Sequence, residues 1–167
     1  VGARAQFRNL QGQAAGAGVP GAFAVAVSAV GALGTLLVVG GAAAGFTDRT
    51  VFMAILPLGH NYNLASPGML GAFYHGGTVV IAPGTSVEEV FSTVQRERVT
   101  VIAAAVPLIT TWLNADALAA YDLTSLAVVQ NGGARLAPEL RRRIRQQMGC
   151  TPQEIYGTAE GLINMTR

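Results

Sequence analysis

The sequence contains no lysine. All 11 basic residues are arginine, so no lysine role can be filled within these 167 residues. Cysteine is nearly absent. A single residue, Cys150, excludes an intrachain disulfide and any cysteine-based metal cluster. The two histidines, His60 and His75, have no cysteine near them and do not form a metal site by spacing. Charge is scarce as well: 12% of residues are charged, where about a quarter is usual for a solvated domain. Such scarcity arises when a chain is a piece of something larger with faces normally buried, or when part of it sits in lipid.

The formal net charge is +2. The one dense basic cluster is Arg141, Arg142, Arg143 and Arg145. With Leu140, Ile144 and Met148 beside it, the cluster reads as the wet face of an amphipathic helix. No aromatic residues interleave it and no nucleic-acid motif accompanies it, so nucleic acid is not an expected partner. The length suits one domain with a sizeable core. Val1 in place of Met points to residues upstream.

Residues 9–47 carry no charge. Within them, residues 21–40 (GAFAVAVSAVGALGTLLVVG) are long enough to span a bilayer. The run is mostly Ala, Gly and Val, so its insertion energy is weak, and no aromatic belt brackets it. Buried helix and strand of an α/β domain explain it better than a membrane span, and a signal peptide fits poorly. Residues 1–47 are treated as a poorly defined Ala/Gly/Val-rich segment.

From residue 48 onward the signals alternate. Apolar or β-branched runs at 51–56, 78–82, 99–106 and 126–129 are predicted strands, with a short last strand at 153–156. Helices are predicted at 66–74, from Ser86 onward, at 109–120 and at 138–148. Ser86 with Glu89 three residues later matches a capping box, and Gly149 stops the last helix. The alternation predicts an α/β fold with a mainly parallel sheet flanked by helices. In such sheets ligands sit beyond the carboxyl ends of the strands. That selects three loops: 57–66, 130–134 and 156–164.

The first loop offers His60, Asn61, Tyr62, Asn63 and Ser66, which could grip a small polar or aromatic ligand or simply satisfy a turn. In the second, Gly132-Gly133-Ala134 lets backbone approach a flat ligand, although paired glycines also make ordinary turns. In the third, Glu160 could hold a magnesium ion carrying phosphates and the Thr158 hydroxyl could reach a phosphate; the alternative is a solvated turn.

Together, PLGHNYNLASPGMLGAFYHGGTVVIAP, VVQNGGARLAPEL and IYGTAEGLINMTR resemble the aryl-acid branch of the adenylate-forming enzymes. That branch includes the 2,3-dihydroxybenzoate–AMP and salicylate–AMP ligases of siderophore biosynthesis. The resemblance runs over 48–167, which reads as a partial AMP-binding domain belonging to the large N-terminal domain of such an enzyme. It implies a cytoplasmic ligase that joins an aryl acid to ATP, giving aryl-AMP and pyrophosphate. The acyl group then passes to the phosphopantetheine thiol of an aryl carrier protein. By the same resemblance Asn61 would hydrogen-bond the ring hydroxyl, with Ser66 and Ile163 lining the aryl pocket and His60 near the carboxylate. Gly132, Gly133 and Ala134 would border adenine and aryl groups. Tyr156 would stack on adenine beside Gly157, Thr158 would contact the α-phosphate, and Glu160 would hold magnesium.

Two features depart from the family. The Ser/Thr/Gly-rich phosphate loop ending in Pro-Lys has no counterpart, and its place is taken by the Ala/Gly/Val stretch. The chain also stops before the small C-terminal domain with its lysine. The chain alone is therefore expected to be inactive. Two other readings compete: a non-catalytic module that keeps the aryl pocket, and a membrane-associated protein using residues 21–40.

Overall fold

A computed structural model describes residues 34, 36–65, 67–157 and 163–166. The described chain opens with a helical turn, π-wound over Leu36–Gly40 and α-wound over Gly41–Ala43 (α1). Strand β1 (Val51–Ala54) leads into helices α2 (Asn61–Ala65) and α3 (Gly68–Tyr74), then β2 (Thr78–Ile81). Helix α4 (Val87–Glu97), β3 (Val101–Ala104) and α5 (Val106–Leu113) follow, with a 3₁₀ segment at Asp116–Ala120. Next come β4 (Val128–Gly132) and α6 (Pro138–Arg143), which continues as a π-helical turn over Ile144–Met148. Strands β5 (Thr151–Gly157) and β6 (Ile163–Met165) end the described chain.

The six strands form one sheet in the order β2-β1-β3-β4-β5-β6. The first five run parallel, and β6 is antiparallel to β5. All four strands predicted from the apolar runs are present in it, and the mainly parallel α/β architecture is as expected. The chain reverses direction across the sheet between β1 and β3, so a switch point opens at their carboxyl ends.

Alternating strand residues feed two cores. Met53, Ile102 and Val129 point to one face, where they meet Val90, Phe91 and Val94 of α4, Ile109 and Trp112 of α5, and Ile144. Fully burying each of the larger of these side chains stabilises the fold by about 1.5–3 kcal/mol. The Phe91 and Trp112 rings meet edge to face at 5.4 Å, and the Trp112 indole N–H donates to the Thr85 carbonyl at 3.1 Å. On the other face Phe52, Ala54, Val101 and Ala103 pack with Phe46 and with Ala72 of α3.

The helix ends follow from local chemistry. The Ser86 hydroxyl accepts the Glu89 N–H while the Glu89 carboxylate accepts the Ser86 N–H, completing the capping box. Hydrogen bonds from Ser86 hold the exposed Glu89 carboxyl below its usual range. Gly149, with φ at 69°, ends the turn after α6 in the left-handed region that glycine tolerates.

Several boundaries differ from expectation. Strand β3 stops at Ala104, not 106, because Pro107 occupies the first turn of α5. That helix ends at Leu113 instead of 120, and a separate 3₁₀ turn follows. Strand β4 lies at Val128–Gly132 instead of 126–129, so Gln130, Asn131 and Gly132 belong to the sheet and not to a loop. Part of the first loop is the short helix α2. Among the described residues no helix is long and apolar enough to cross a membrane; most of the 21–40 run lies outside the described residues.

Candidate functional site

The first and second loops meet at the carboxyl edge. Strand β1 hands over to residues 55–60, where the His60 N–H closes a turn on the Pro57 carbonyl at 2.9 Å. His60 then caps α2: its Nδ1 accepts the Tyr62 N–H at 3.2 Å, which leaves Nε2 as the edge facing outward. Asn61 lies exposed at the start of α2.

Asn63 is fully buried and donates from Nδ2 to the Leu56 carbonyl at 2.8 Å, pinning the helix to the end of β1. Its Oδ1 is buried without a hydrogen-bond partner among the described residues. Tyr62 reaches across to β4. A Cβ placed on Gly132 would stand 3.2 Å from Tyr62 Cε1 and Cζ, so the ring lies where any larger residue would intrude. The Tyr62 hydroxyl is buried without a partner among the described residues, and burial pushes the phenol well above its usual range. The sequence offered Tyr62 and Asn63 only among the polar side chains of the first loop and assigned neither a role. The only available signal was an aromatic flanked by two amides in one short segment.

Beyond β4 the chain turns at Gly133, where φ is 80°. Gly133 and Ala134 line an open groove of about 640 Å³ together with Arg135, Glu154, Tyr156, Gly157, Met165 and Thr166. Tyr156 is 72% exposed. Deeper in the sheet, Gln130 donates from Nε2 to Gln153 Oε1 at 2.7 Å, and both residues are buried. The oxygens of the Gln130 and Asn131 side chains have no partner among the described residues. The edge therefore presents several buried amide and phenol groups with spare hydrogen-bonding capacity, an arrangement common where a polar ligand completes the set.

Of the predicted site residues, Gly133, Ala134, Tyr156 and Gly157 thus share one groove. Gly132 meets the His60-Asn61 segment through Tyr62. Ser66, Thr158 and Glu160 lie outside the described residues. Ile163 is paired with Gly157 at the start of β6, a strand the sequence did not announce. Among the described residues no group of three His, Cys, Asp or Glu side chains could hold a metal ion. Among the described residues the one carboxylate lining the groove, Glu154, is already engaged by Arg141 and by the Leu136 N–H.

Comparison with known proteins agrees with this architecture. The family profile of the AMP-binding enzymes matches residues 23–167. The chain is 47% identical, over 118 residues, to the 2,3-dihydroxybenzoate-AMP ligase of Bacillus subtilis; the match covers 71% of this chain and 22% of that protein. It is 39% identical to the vibriobactin-specific 2,3-dihydroxybenzoate-AMP ligase of Vibrio cholerae, covering 73% of this chain and 22% of that one. The chain thus spans about a fifth of the length of these relatives. The apo structure of MbtA from Mycobacterium smegmatis superposes with a TM-score of 0.67 at 32% identity, over 81% of this chain and 23% of that one. This chain belongs to the AMP-binding enzyme family.

Proposed function

We propose that these residues form the acid- and nucleotide-binding edge of an aryl-acid adenylating ligase acting on 2,3-dihydroxybenzoate or salicylate in siderophore biosynthesis. The observation that carries the reading is the contact of Tyr62 with Gly132, which brings the His60-Asn61 segment over the glycine-rich end of β4. It is supported by the identity shared with a protein named for 2,3-dihydroxybenzoate.

In this reading the acid lies on the Tyr62–Gly132 side, the face of β5 that carries Ile155 and Gly157. Asn61 hydrogen-bonds the ring hydroxyl, while Ser66 and Ile163 complete the pocket. The outward edge of His60 meets the carboxylate. Adenine lies on the opposite side, between the Gly133-Ala134 backbone and the Tyr156 ring, and Gly157 and Thr158 lead to the α-phosphate. A carboxylate oxygen attacks the α-phosphorus in line and pyrophosphate leaves, giving aryl-AMP. A carrier-protein thiol then attacks the acyl carbon and AMP leaves. Magnesium, when bound, would neutralise phosphate charge, and Glu160 is proposed to hold it, as the resemblance of the 155–161 motif implies. ATP as co-substrate makes the cytoplasm the compartment for this chemistry.

A segment exchange tests the reading. The 118 aligned residues of this chain would replace those of the Bacillus subtilis ligase, and ATP–pyrophosphate exchange would be measured with 2,3-dihydroxybenzoate, salicylate and benzoate. Exchange dependent on the hydroxybenzoates is expected. A folded chimaera that binds the acids without exchange would support a non-catalytic binding module instead.

A further inference from the structure

Residues 133–135 form one wall of the groove, yet neither they nor Leu136 after them have helix or strand hydrogen bonding of their own. The side chains that hold them come from a single rung of the sheet. Asn131 of β4 and Glu154 of β5 are register partners. Asn131 Nδ2 donates to the Ala134 carbonyl at 2.7 Å. Glu154 Oε1 accepts the Leu136 N–H at 3.0 Å, and its other oxygen pairs with Arg141 of α6.

The backbone of Glu154 is tied as well: its N–H donates to Thr166 Oγ1 at 2.8 Å, and its carbonyl accepts the Thr166 N–H at 2.9 Å. Leu136 is 1% exposed and anchors the end of the loop. Arg135, immediately before it, is exposed. Charge-assisted hydrogen bonds are stronger than neutral ones, so the Arg141–Glu154–Leu136 chain is the firmer of the two braces.

We propose that Asn131 and Glu154 are positioning residues: they fix the 133–136 loop as the surface on which the nucleotide lies. This rests on the adenylation reading of the groove. Without Glu154 the Leu136 N–H loses its acceptor and Arg141 its counter-ion, and the loop opens locally, drawing Leu136 from the first core while the rest of the two cores stays packed. The nucleotide then meets a wall that must first be ordered, which weakens its binding.

Limited trypsin digestion of the 167-residue chain tests this, because the bond after Arg135 is the one the brace protects. The rate of cleavage there is compared with the rate after exposed Arg49, with and without AMP. Cleavage tracks the open population when closing is fast, so Glu154→Ala should raise the Arg135/Arg49 ratio by about tenfold or more. The variant is expected to leave the loop open in most chains, so the closed, binding-competent fraction falls to about a tenth and the AMP concentration that gives half-protection rises by about tenfold. Glu154→Gln keeps an acceptor for the Leu136 N–H and should return both values to within about threefold of wild type. Asn131→Val should act in the same direction as Glu154→Ala. An unchanged ratio in Glu154→Ala, with both sites accelerated together, would mean the residue only supports the fold and would overturn the proposal. An unchanged AMP requirement in that variant would overturn it too. Absence of AMP protection in the wild type overturns the nucleotide half, and with it the adenylation reading of the groove; the cleavage ratio then shows whether the brace itself stands.

Discussion

Gly132 is the position where sequence, packing and site meet most tightly, and replacing it by valine is the sharpest perturbation available. Its φ lies outside the left-handed region, so the backbone tolerates any residue there. The obstacle is spatial: a Cβ would stand 3.2 Å from two ring carbons of Tyr62 and 3.5 Å from the Ile155 carbonyl oxygen. Valine adds two more carbons, and overpacking of this kind costs about 1–3 kcal/mol. Reduced freedom of the unfolded chain offsets about 0.4–1 kcal/mol of that. The net loss is about 1–2 kcal/mol, which at a urea m-value of about 2 kcal/mol/M lowers the unfolding midpoint by roughly 0.5–1 M. Urea unfolding followed by fluorescence of Trp112 reads this directly. In a Tyr62→Ala background the added carbons enter the space the ring vacates, so the valine penalty should nearly vanish, a coupling of about 1–2 kcal/mol. An equal penalty in both backgrounds would refute the claim that Tyr62 is what Gly132 accommodates.

Ser86→Ala removes the capping box of α4 and should destabilise the chain by about 1 kcal/mol in the same assay. Tyr62→Phe deletes a hydroxyl that is buried without a partner among the described residues, so stability at neutral pH should be unchanged or higher; a loss above about 1 kcal/mol would show that the hydroxyl is bonded. Burial raises the Tyr62 phenol above its ordinary 10.0, so the folded state holds the proton longer than the unfolded one. The tyrosine protein is therefore fully stable below pH 10 and loses about 1.4 kcal/mol per pH unit above it, a decline that Tyr62→Phe should flatten. The 167-residue chain alone should give no ATP–pyrophosphate exchange above background, because no lysine is present to stabilise the displaced phosphates.

Much of the scaffold was legible where local and global signals agree. The run at 51–56 became a buried parallel strand because continuous apolar residues must be covered on both faces, while the β-branched run at 78–82 became the half-exposed edge strand β2. Ser86 and Glu89 announced a helix start that needs only neighbours three residues apart. The site was less legible because its shape depends on partners far along the chain. Helix α2 has no apolar period; it is held by His60 Nδ1 on the Tyr62 N–H and by Asn63 on the Leu56 carbonyl, bonds that composition does not reveal. Gln130 and Asn131 read as loop because they are polar, yet Gln130 is buried against Gln153, 23 residues away. Strand β6 is defined by its antiparallel pairing with Tyr156 and its neighbours, and its own three residues carry no turn signal.

The most direct measurement concerns Asn61 and the ring hydroxyl it is proposed to read. In the segment chimaera, kcat/KM for 2,3-dihydroxybenzoate and for benzoate would be compared between the Asn61 form and Asn61→Leu. Loss of the amide leaves the substrate hydroxyl buried and unpaired, at a cost on the order of 1–3 kcal/mol. Hydroxybenzoate use should therefore fall by about tenfold or more while benzoate use changes much less. An equal fall for both acids would make Asn61 a structural residue of α2 and contradict the assignment of this edge to a hydroxylated aryl acid.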